Sequence, residues 1–518
     1  MGTSFQLDLK NGSLCSLKQK LVAFTLLLTL AVTSGQSDQP NIVFIMADDL
    51  GFNDVGYHGY GEIMTPNIDA LARDGVRLEN YYVAPLCGPT RTQFLTGRYS
   101  IHLGLQGSNL AECTKEGVPL EYRTIANEMK DRGYATHMIG KWHGGFHKKE
   151  YFPTNRGFDT YRGYLLRQSS SYYTREMVYT TGIEYMDYRN NEDTYHGDLG
   201  EYTTTAFTRR AQELITDHNT TQPMFLYLAY QAPHYPLEAP TSYVNMYMSS
   251  IPIKERRLYA AMVTALDDGV GQVVQTLKDA GIYNNTVIIL SADNGGLAPF
   301  ASNYPLKGSK GEFYQGGVRA VGLVSSPLIK ASKRNRNVTS LMHITDWLPT
   351  LVNIAGDNTS IEVDGFNQWD VIKEGTDSQR QEVLHNIVQR ERINATEFSL
   401  DTQAAIVNKD GWKLMTGVNR GGVNIPNPKD NYTEWFKIGA TSVEEYAERD
   451  GELYNILTDP TEQINQFKNP KYASIKEGLL DDLLRYQNTV LDAIPMTVYQ
   501  QCNPALNGGV WGPWAQKN

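Results

Sequence analysis

The sequence predicts an α/β protein with a large, mixed and mostly parallel sheet flanked by helices. Four short apolar runs indicate buried strands, at residues 41–46, 134–139, 224–230 and 286–290. Their hydrophobicity is continuous rather than alternating, which is typical of strands that are covered on both faces. Segments with helical boundaries lie between them, and strands that alternate with helices favour a parallel sheet.

Three segments between these strands have the start and stop signals of helices. The first begins at Pro66 and ends near Gly75, with proline in the first turn and glycine past the end. The second and third, at residues 122–132 and 258–280, are each followed directly by a glycine. We therefore expect helices to connect the strands and to cover the sheet.

A smaller α+β domain with an antiparallel sheet is expected in the C-terminal part of the chain. Residues 404–415 predict a β-hairpin with an Asn-Lys-Asp-Gly turn. A polar loop at residues 418–432 follows, and the next helix is expected at residues 473–491. The predicted organisation is a signal peptide at 1–35, a main domain at 36–390 and a C-terminal domain at 391–518.

The N-terminus has the pattern of a secretory signal peptide. Lys18 and Lys20 precede an apolar run at residues 21–32, and small residues at 33–35 offer a cleavage site. The twelve residues of the run are fewer than the roughly 20 that a membrane-spanning helix needs, although a signal anchor is an alternative. We expect a soluble protein of the secretory pathway, in the lysosome or outside the cell.

Composition and sequons agree with an exported globular protein. Lys and Arg number 47 against 57 Asp and Glu, which gives a formal charge of −10 and excludes a globally basic nucleic-acid binder. Six Asn-x-Ser/Thr sequons are candidate glycosylation sites. They begin at Asn219, Asn284, Asn337, Asn358, Asn394 and Asn431.

The four cysteines single out one position. Cys15 lies ahead of the predicted cleavage site, which leaves Cys87, Cys113 and Cys502 in the exported chain. An odd cysteine in such a protein is reactive or modified. Cys113 and Cys502 could pair and tie the C-terminus to the first third of the chain, which would leave Cys87 over.

Polar residues follow each of the four predicted strands. Sheets of this kind bind ligands beyond the carboxyl ends of their strands, so we expect these residues to meet at one edge. Taken singly, each is better explained as a helix cap or a solvated loop residue. In chain order they are Asp48 and Asp49, Lys141 and His143, His234, and Asp293 and Asn294.

Cys87 lies at the start of a predicted helix. Pro89 suits the first turn of a helix that runs to about Thr96, with Gly97 as its stop. The amide groups and dipole of such an N-terminus favour negative charge, and Arg91 would point back from one turn along. By itself this pattern indicates a cysteine near a cation, either a thiol nucleophile or a redox thiol.

The same residues resemble a known signature. Cys87-Gly88-Pro89-Thr90-Arg91, followed by Leu95-Thr96-Gly97-Arg98, is similar to the signature of the type I sulfatases, and most similar to the arylsulfatase B branch, the N-acetylgalactosamine 4-sulfatases. Position 90 is more often serine and position 88 often threonine or serine in that family, but the cysteine, proline and arginine that carry the modification signal are present. The resemblance runs from about residue 41 to at least residue 457. Its other motifs are Asp48-Asp49-Leu50-Gly51, Gly140-Lys141-Trp142-His143, Asp293-Asn294-Gly295-Gly296, Gly316-Gly317-Val318-Arg319, Asp364-Gly365-Phe366 and Leu384-His385-Asn386-Ile387.

The resemblance implies an alkaline-phosphatase-like fold and a sulfate-ester hydrolase. Cys87 would be oxidised to formylglycine by a formylglycine-generating enzyme in the endoplasmic reticulum. One divalent ion would be bound by hard oxygen ligands, which suit Ca²⁺ better than a transition metal. Its ligands would be the modified Cys87 together with Asp48, Asp49, Asp293 and Asn294.

The resemblance also implies roles for the cationic residues of the site. Arg91 and His143 would hold the formylglycine, with His143 as a base. Lys141, His234 and Lys310 would bind the sulfate group of the substrate. Either His234 or Lys310 would protonate the leaving alcohol, because histidine and lysine can both donate a proton.

The substrate implied by the resemblance is 4-sulfated N-acetylgalactosamine in chondroitin or dermatan sulfate. Two other functions compete with this one. A phosphonate or phosphate-ester hydrolase of the same superfamily could use the same aldehyde, and relative turnover of aryl sulfate and aryl phosphate would distinguish it. An inactive exported glycoprotein that binds sulfated glycans would bind glycan without releasing sulfate.

Overall fold

The fold is taken from a computed structural model, which describes residues 1–2, 37–168, 171–357, 359–417, 419–420, 422, 424–442, 446–447 and 451–515. Three earlier expectations lie outside these residues: Cys15, the sequon at Asn358, and the predicted signal peptide from its third residue onward. Among the described residues, no helix combines the length and the apolar character that crossing a bilayer requires.

The described strands are numbered in chain order. They are β1 (Asn41–Ala47), β2 (Val76–Leu78), β3 (Tyr81–Tyr82), β4 (Ala135–Lys141), β5 (Thr160–Tyr164), β6 (Glu176–Val178), β7 (Glu184–Met186), β8 (Arg189–Asn190), β9 (Asp193–Thr194), β10 (Met224–Ala229), β11 (Thr286–Ala292), β12 (Gly322–Ser325), β13 (Arg336–Val338), β14 (Met342–His343), β15 (Glu382–Ile387), β16 (Ala404–Asn408), β17 (Trp412–Thr416), β18 (Asn419–Arg420), β19 (Tyr446–Ala447) and β20 (Glu452–Asn455).

The described α-helices are numbered in the same way. They are α1 (Pro66–Asp74), α2 (Cys87–Thr96), α3 (Ile125–Asp131), α4 (Thr203–Thr216), α5 (Thr241–Met246), α6 (Lys254–Asp279), α7 (Gln315–Val318), α8 (Trp347–Ile354), α9 (Trp369–Lys373), α10 (Tyr432–Ser442) and α11 (Ala473–Gln487).

Ten of the described strands form one mixed sheet, in the order β13-β2-β12-β11-β1-β10-β4-β5-β8-β9. The central strands β11, β1, β10, β4 and β5 run parallel to one another. Antiparallel pairs flank them on both sides, β12 with β11 and β8 with β5. The predicted mixed, mostly parallel sheet is therefore confirmed.

The four predicted strands are four adjacent strands at the centre of this sheet. All seven residues of β1 are buried, so helices and loops cover the sheet on both faces. Phe44 of β1 packs against Phe94 of α2 and Trp347 of α8, with ring centroids 4.2 and 5.5 Å apart. Because β10, β1 and β11 pair in register, the residues that follow each strand emerge at the same edge of the sheet.

The first predicted helix matches α1, the third begins earlier than predicted, at Lys254, and the predicted start of the second at residue 122 is wrong. That helix begins at Ile125, because Thr124 caps it. The Thr124 hydroxyl accepts a hydrogen bond from the Asn127 amide, and the Asn127 side chain accepts one from the Thr124 amide, at 3.0 Å. This reciprocal capping box satisfies the first free amides and fixes the helix start.

A second, four-stranded sheet lies in the C-terminal part, in the antiparallel order β15-β16-β17-β20. The predicted hairpin is confirmed as β16 and β17. Helix α11 packs on these two strands and ends at Gln487, earlier than the predicted residue 491. Since β15 already lies before residue 390, the boundary between the two domains stays a prediction.

The chain after α11 returns to the main domain. Cys113 and Cys502 form a disulfide, which confirms the pairing considered above. Cys87 is the free cysteine of the described residues, and it is buried. The five sequon asparagines that are described, at 219, 284, 337, 394 and 431, are all exposed, as glycosylation requires.

Candidate active site

The carboxyl ends of the central strands bring the predicted polar residues together. Asp48 and Asp49 follow β1, Asp293 follows β11, and Lys141 is the last residue of β4. The amide of Asp49 donates to Oδ1 of Asp293 over 3.2 Å, which joins the ends of two neighbouring strands. Asp49 itself has a φ of 63°, a backbone conformation that non-glycine residues rarely adopt. Such strain is typical of functional sites.

Helix α2 presents Cys87 to this edge of the sheet. Cys87 is its first residue, and Gly97 ends it in the left-handed conformation with a φ of 67°. Arg91, one turn along, donates to Oδ2 of Asp293 over 2.8 Å and to the backbone oxygen of Lys141 over 3.1 Å. The predicted helix and the inward direction of Arg91 are both observed.

A group of four side chains could hold a metal ion. One ligand atom each from Asp48, Asp49, Cys87 and His234 lies within 4.8 Å of the other three, and all four residues are buried. This group contains His234, which the sequence assigned to sulfate binding. Asp293 lies beside it, but the Asp49 amide and Arg91 occupy its two carboxylate oxygens.

Three buried oxygens at the centre of the site have no hydrogen-bond partner among the described residues. They are Oδ1 of Asp48, Oδ2 of Asp49 and Oδ1 of Asn294. A buried polar atom without a partner is unfavourable by about 1–3 kcal/mol. Two carboxylate oxygens and an amide oxygen are the ligands that a hard cation such as Ca²⁺ prefers, so these residues fit a divalent ion.

Cations balance the buried carboxylates. Nζ of Lys141 lies 2.5 Å from Oδ2 of Asp48, and Nζ of Lys310 lies 2.5 Å from Oδ1 of Asp49. Burial alone would raise the pKa of both aspartates, but the neighbouring cations outweigh burial and lower it. Both carboxylates are therefore ionised in the site. Nε2 of His234 lies farther away, 3.6 Å from Oδ2 of Asp49.

The unmodified thiol of Cys87 is not a good nucleophile in this environment. Burial raises the pKa of Cys87 to about 12, although the charges of Lys141 and Lys310 oppose the change. A thiolate is the reactive form of cysteine, and at neutral pH this side chain holds its proton. The thiol-nucleophile interpretation of the helix start is therefore disfavoured.

His143 has a defined orientation and a strained backbone, with a φ of 50°. Its Nε2 lies 2.8 Å from the backbone oxygen of Asn109, and since a carbonyl only accepts, Nε2 carries the proton. Burial, followed by the charges of Lys141 and Arg91, lowers the pKa of His143 well below its usual value. The ring is therefore neutral, and Nδ1 holds a lone pair without a partner among the described residues.

Asn109 is a residue of the site that the sequence analysis missed. Besides contacting His143, it accepts a hydrogen bond from the amide of Gly88 over 3.0 Å through its side-chain oxygen. It thus links the start of α2 to the loop that carries His143. No motif includes Asn109, so the sequence offered no signal for it.

A cleft of about 710 Å³ opens beside the start of α2. Its walls come from distant segments of the chain and carry four side-chain amides, several apolar groups, one lysine and one glutamate. Its lining includes Leu86, Pro89, Gln106, Asn109, Lys310, Glu312, His385, Asn386, Gln403 and Met496. Amides next to apolar surface suit a ligand with both hydroxyl groups and apolar faces.

The chain matches the family model described as Sulfatase over residues 40–357. It is 42% identical to Arylsulfatase J of Mus musculus over 506 residues, which are 93% of this chain and 81% of that protein. It is 31% identical to Arylsulfatase A of Homo sapiens over 367 residues, 66% of this chain and 69% of that protein. It is 29% identical to the N-acetylgalactosamine-6-sulfatase of Homo sapiens over 369 residues, which are 66% of this chain and 67% of that protein.

Solved structures of two other proteins resemble this fold. The crystal structure of Ps i-CgsB has a TM-score of 0.72 and 29% identity, and covers 88% of this chain and 94% of that one. The same protein has been solved in complex with k-i-k-neocarrahexaose. The phosphonate monoester hydrolase of Agrobacterium radiobacter has a TM-score of 0.58, and the match covers 87% of this chain and 96% of that one. At 17% identity, the likeness shows a shared fold alone.

Proposed function

Because the chain belongs to the sulfatase family and is a sulfuric ester hydrolase, we propose that it removes sulfate from glycans through a formylglycine made from Cys87. The proposed substrate is 4-sulfated N-acetylgalactosamine of chondroitin or dermatan sulfate. The proposed cofactor is one Ca²⁺ ion. The observation that carries the proposal is the buried cluster of Asp48, Asp49 and Cys87, in which one oxygen of each carboxylate has no hydrogen-bond partner among the described residues.

The divalent ion would be held by Asp48, Asp49, Asp293 and Asn294 together with the modified side chain at position 87. When bound, it would polarise a sulfate oxygen and favour ionisation of the aldehyde hydrate. The buried position of all four residues excludes water from competing for the ion. Arg91 keeps Asp293 oriented through its two contacts with Oδ2.

As a geminal diol, formylglycine would supply one hydroxyl to displace the alcohol from sulfur and a second hydroxyl whose deprotonation would release the sulfate and restore the aldehyde. His143 suits the role of the base, since its Nε2 proton is held by Asn109 and its Nδ1 carries the lone pair. Lys141 and Lys310 bring two positive charges to the place where the sulfate anion must bind. Such fixed cations stabilise the negative charge of the transition state.

The glycan part of the proposal rests on the cleft. Gln106, Asn109, Asn386 and Gln403 offer donors and acceptors for sugar hydroxyl or acetamido groups. Two relatives are named for, or were crystallised with, sugars: the human N-acetylgalactosamine-6-sulfatase and Ps i-CgsB. We also propose that the protein enters the secretory pathway and acts in the lysosome or outside the cell, because disulfides such as Cys113–Cys502 form in oxidising compartments.

The first test is mass spectrometry of the tryptic peptide 78–91 from protein made through a secretory pathway. An aldehyde at position 87 is expected. An unmodified thiol, in cells that modify a control sulfatase, would contradict the formylglycine proposal.

The second test makes two comparisons. It compares the release of sulfate from 4-sulfated and from 6-sulfated N-acetylgalactosamine, and the turnover of aryl sulfate with that of aryl phosphate. Faster phosphate turnover would favour the phosphate-ester alternative, and glycan binding without any sulfate release would favour the inactive binding protein.

A further inference from the structure

A second cavity, of about 530 Å³, lies where the C-terminal segment returns to the main domain. Its lining includes Lys115, Lys148, Tyr499, Gln501, Asn507 and Trp514, and no aspartate or glutamate is among the described residues that line it. We call it the lysine–aromatic cavity. In a chain with a formal charge of −10, two lysines in a cavity whose described lining holds no carboxylate form a local positive site.

Within the described part of the chain, the two lysines of this cavity have no carboxylate partner. Neither Lys115 nor Lys148 has an Asp or Glu oxygen within 4.0 Å among the described residues. The next lysine along the chain differs, because Nζ of Lys149 lies 2.9 Å from Glu192. The charges of Lys115 and Lys148 are therefore available to an anion from outside the protein.

The walls of the cavity are held in place before any ligand binds. The amide of Tyr499 donates to the backbone oxygen of Cys113 over 2.8 Å, next to the disulfide with Cys502. The amide of Trp514 donates to the backbone oxygen of His147 over 3.1 Å. A preformed site binds without the entropic penalty of ordering its walls.

Two aromatic rings give the cavity an apolar surface beside its charges. The rings of Tyr499 and Trp514 lie 5.2 Å apart, and Nζ of Lys115 lies 4.6 Å from the centre of the Tyr499 ring. An aromatic face packs well against the C–H face of a sugar ring, while an ammonium group binds a sulfate attached to that sugar. The pairing of both features favours a sulfated sugar over a free inorganic anion.

The cavity is connected to the cleft beside Cys87 by two short stretches of chain. Met496 lines the cleft and Tyr499 lines the cavity, and three residues of chain span at most about 11 Å. In a second segment, Asn109 lines the cleft and Lys115 lines the cavity. A linear polymer can thus reach both.

We propose that the lysine–aromatic cavity binds a sulfated segment of the same glycan chain whose sulfate ester is cleaved at the cleft. The inference rests on the proposed action on glycans and adds a second binding site to it. The cavity would raise the affinity for polymeric substrate and leave the chemistry at Cys87 unchanged.

The test measures binding without turnover. Chondroitin 4-sulfate polymer is titrated by isothermal calorimetry into the Cys87→Ala protein, alone and with Lys115→Ala plus Lys148→Ala. The double substitution is expected to raise Kd about three- to tenfold, the effect of losing two exposed ion pairs. Lys149→Ala is the matched control, because it removes a neighbouring lysine that already has a partner, and its Kd should not change.

Two results would overturn the proposal: an unchanged Kd in the double variant, or no binding of the polymer by the Cys87→Ala protein. If the double variant melts early, Lys148→Gln alone provides the same comparison. Turnover of 4-methylumbelliferyl sulfate by the cysteine-containing protein keeps the two proposals separate. Its absence would count against the proposed function, whereas the Kd comparison concerns the cavity alone.

Discussion

Nζ of Lys141 lies 2.5 Å from Oδ2 of Asp48, and both side chains are fully buried. A buried ion pair is stable only as a pair, since removal of one member leaves an uncompensated charge that costs about 3–5 kcal/mol. Lys310, which is partly buried, and Asp49 form a second ion pair at the same distance. In each carboxylate one oxygen binds a lysine, and the other is left for a ligand.

Replacement of a carboxylate of this cluster should remove the metal ion. Asp48→Asn keeps the size of the side chain but loses one of the negative charges that attract a divalent cation, so we expect metal content below about a tenth of normal. Inductively coupled plasma mass spectrometry measures it directly. Asp267→Asn is the control, since Asp267 is buried but binds the backbone amide of Ile68 in α1 instead. Full metal content in the Asp48 variant would contradict the ligand assignment.

Replacement of Cys87 should abolish turnover and leave the fold intact. Cys87→Ala cannot form an aldehyde, so the nucleophile is lost and kcat should fall by at least about 1,000-fold. The smaller side chain removes little buried volume, and the melting temperature should change by only a few degrees. Aryl sulfate turnover and thermal melting check both parts. A folded alanine variant with normal kcat would exclude the mechanism.

The central strands could be predicted from the sequence, and the short strands toward the edge of the sheet could not. Strands β1, β10 and β11 are apolar runs of six or seven residues, long enough to be recognised. Strand β2 has three residues, and its middle one is the arginine Arg77. A stretch this short is a strand only because β12 and β13 pair with it, which local sequence does not encode.

The residues of the candidate active site could likewise be predicted only in part. Asp48, Asp49, Asp293 and Asn294 directly follow strands, so one rule about sheet edges predicts that they meet. Asn109 comes close to His143 across 34 residues of chain through the course of a loop, and a loop has no periodic pattern. The cleft amides come from still more distant segments for the same reason.

Loss of the disulfide should destabilise the protein. Cys113→Ser with Cys502→Ser removes the cross-link and leaves no unpaired thiol from it. Removal of a native disulfide from a small secreted domain costs about 2–5 kcal/mol, and the lower end is expected in this larger chain. The melting temperature should fall, while aryl sulfate turnover at room temperature persists. An unchanged melting temperature would mean that the non-covalent contacts around the C-terminal segment hold it in place without the disulfide.

Glu312 should make the protein less stable as the pH rises. Burial raises the pKa of Glu312 to about 7 from the usual 4.5. Between these values the native state holds a proton that the unfolded state has released, so the stability falls as pH increases through this range. Glu312→Gln has no proton to release and still accepts the amide of Gly422. The free energy of unfolding of this variant should equal that of the natural protein near pH 4.5 and exceed it by about 3 kcal/mol above pH 7.

Thermal melting at pH 5 and pH 8 checks this prediction. Only the difference in melting temperature between variant and natural protein matters, because histidines whose pKa burial lowers, such as His137 and His147, contribute the opposite trend to both proteins. Glu477→Gln, an exposed glutamate on α11, is the control and should show no difference at either pH. If the difference in melting temperature between the Glu312 variant and the natural protein is equal at both pH values, Glu312 does not titrate in this range.

The proton donor to the leaving alcohol can be identified by changing the alcohol. Burial lowers the pKa of His234 below the ordinary 6.5, whereas Asp49 outweighs burial and raises the pKa of Lys310 above its ordinary value, farther from the pH of the reaction at which a general acid works best. We therefore expect His234 to be the donor and Lys310 to bind sulfate. His234→Gln should lower kcat/KM for a sugar sulfate about 100- to 10,000-fold and for nitrophenyl sulfate far less, because nitrophenolate leaves without a proton. Lys310→Gln should lower both alike, since every substrate carries the sulfate group.

The ratio of the two kcat/KM values is the measurement that decides between the residues. His196→Gln, an exposed histidine, should leave the ratio unchanged. A ratio that shifts in the Lys310 variant and not in the His234 variant would reverse the assignment. Equal losses for both substrates in both variants would mean that each residue binds sulfate and that neither donates the proton. The ratio is unaffected by small differences in folded fraction, since these scale both rates equally.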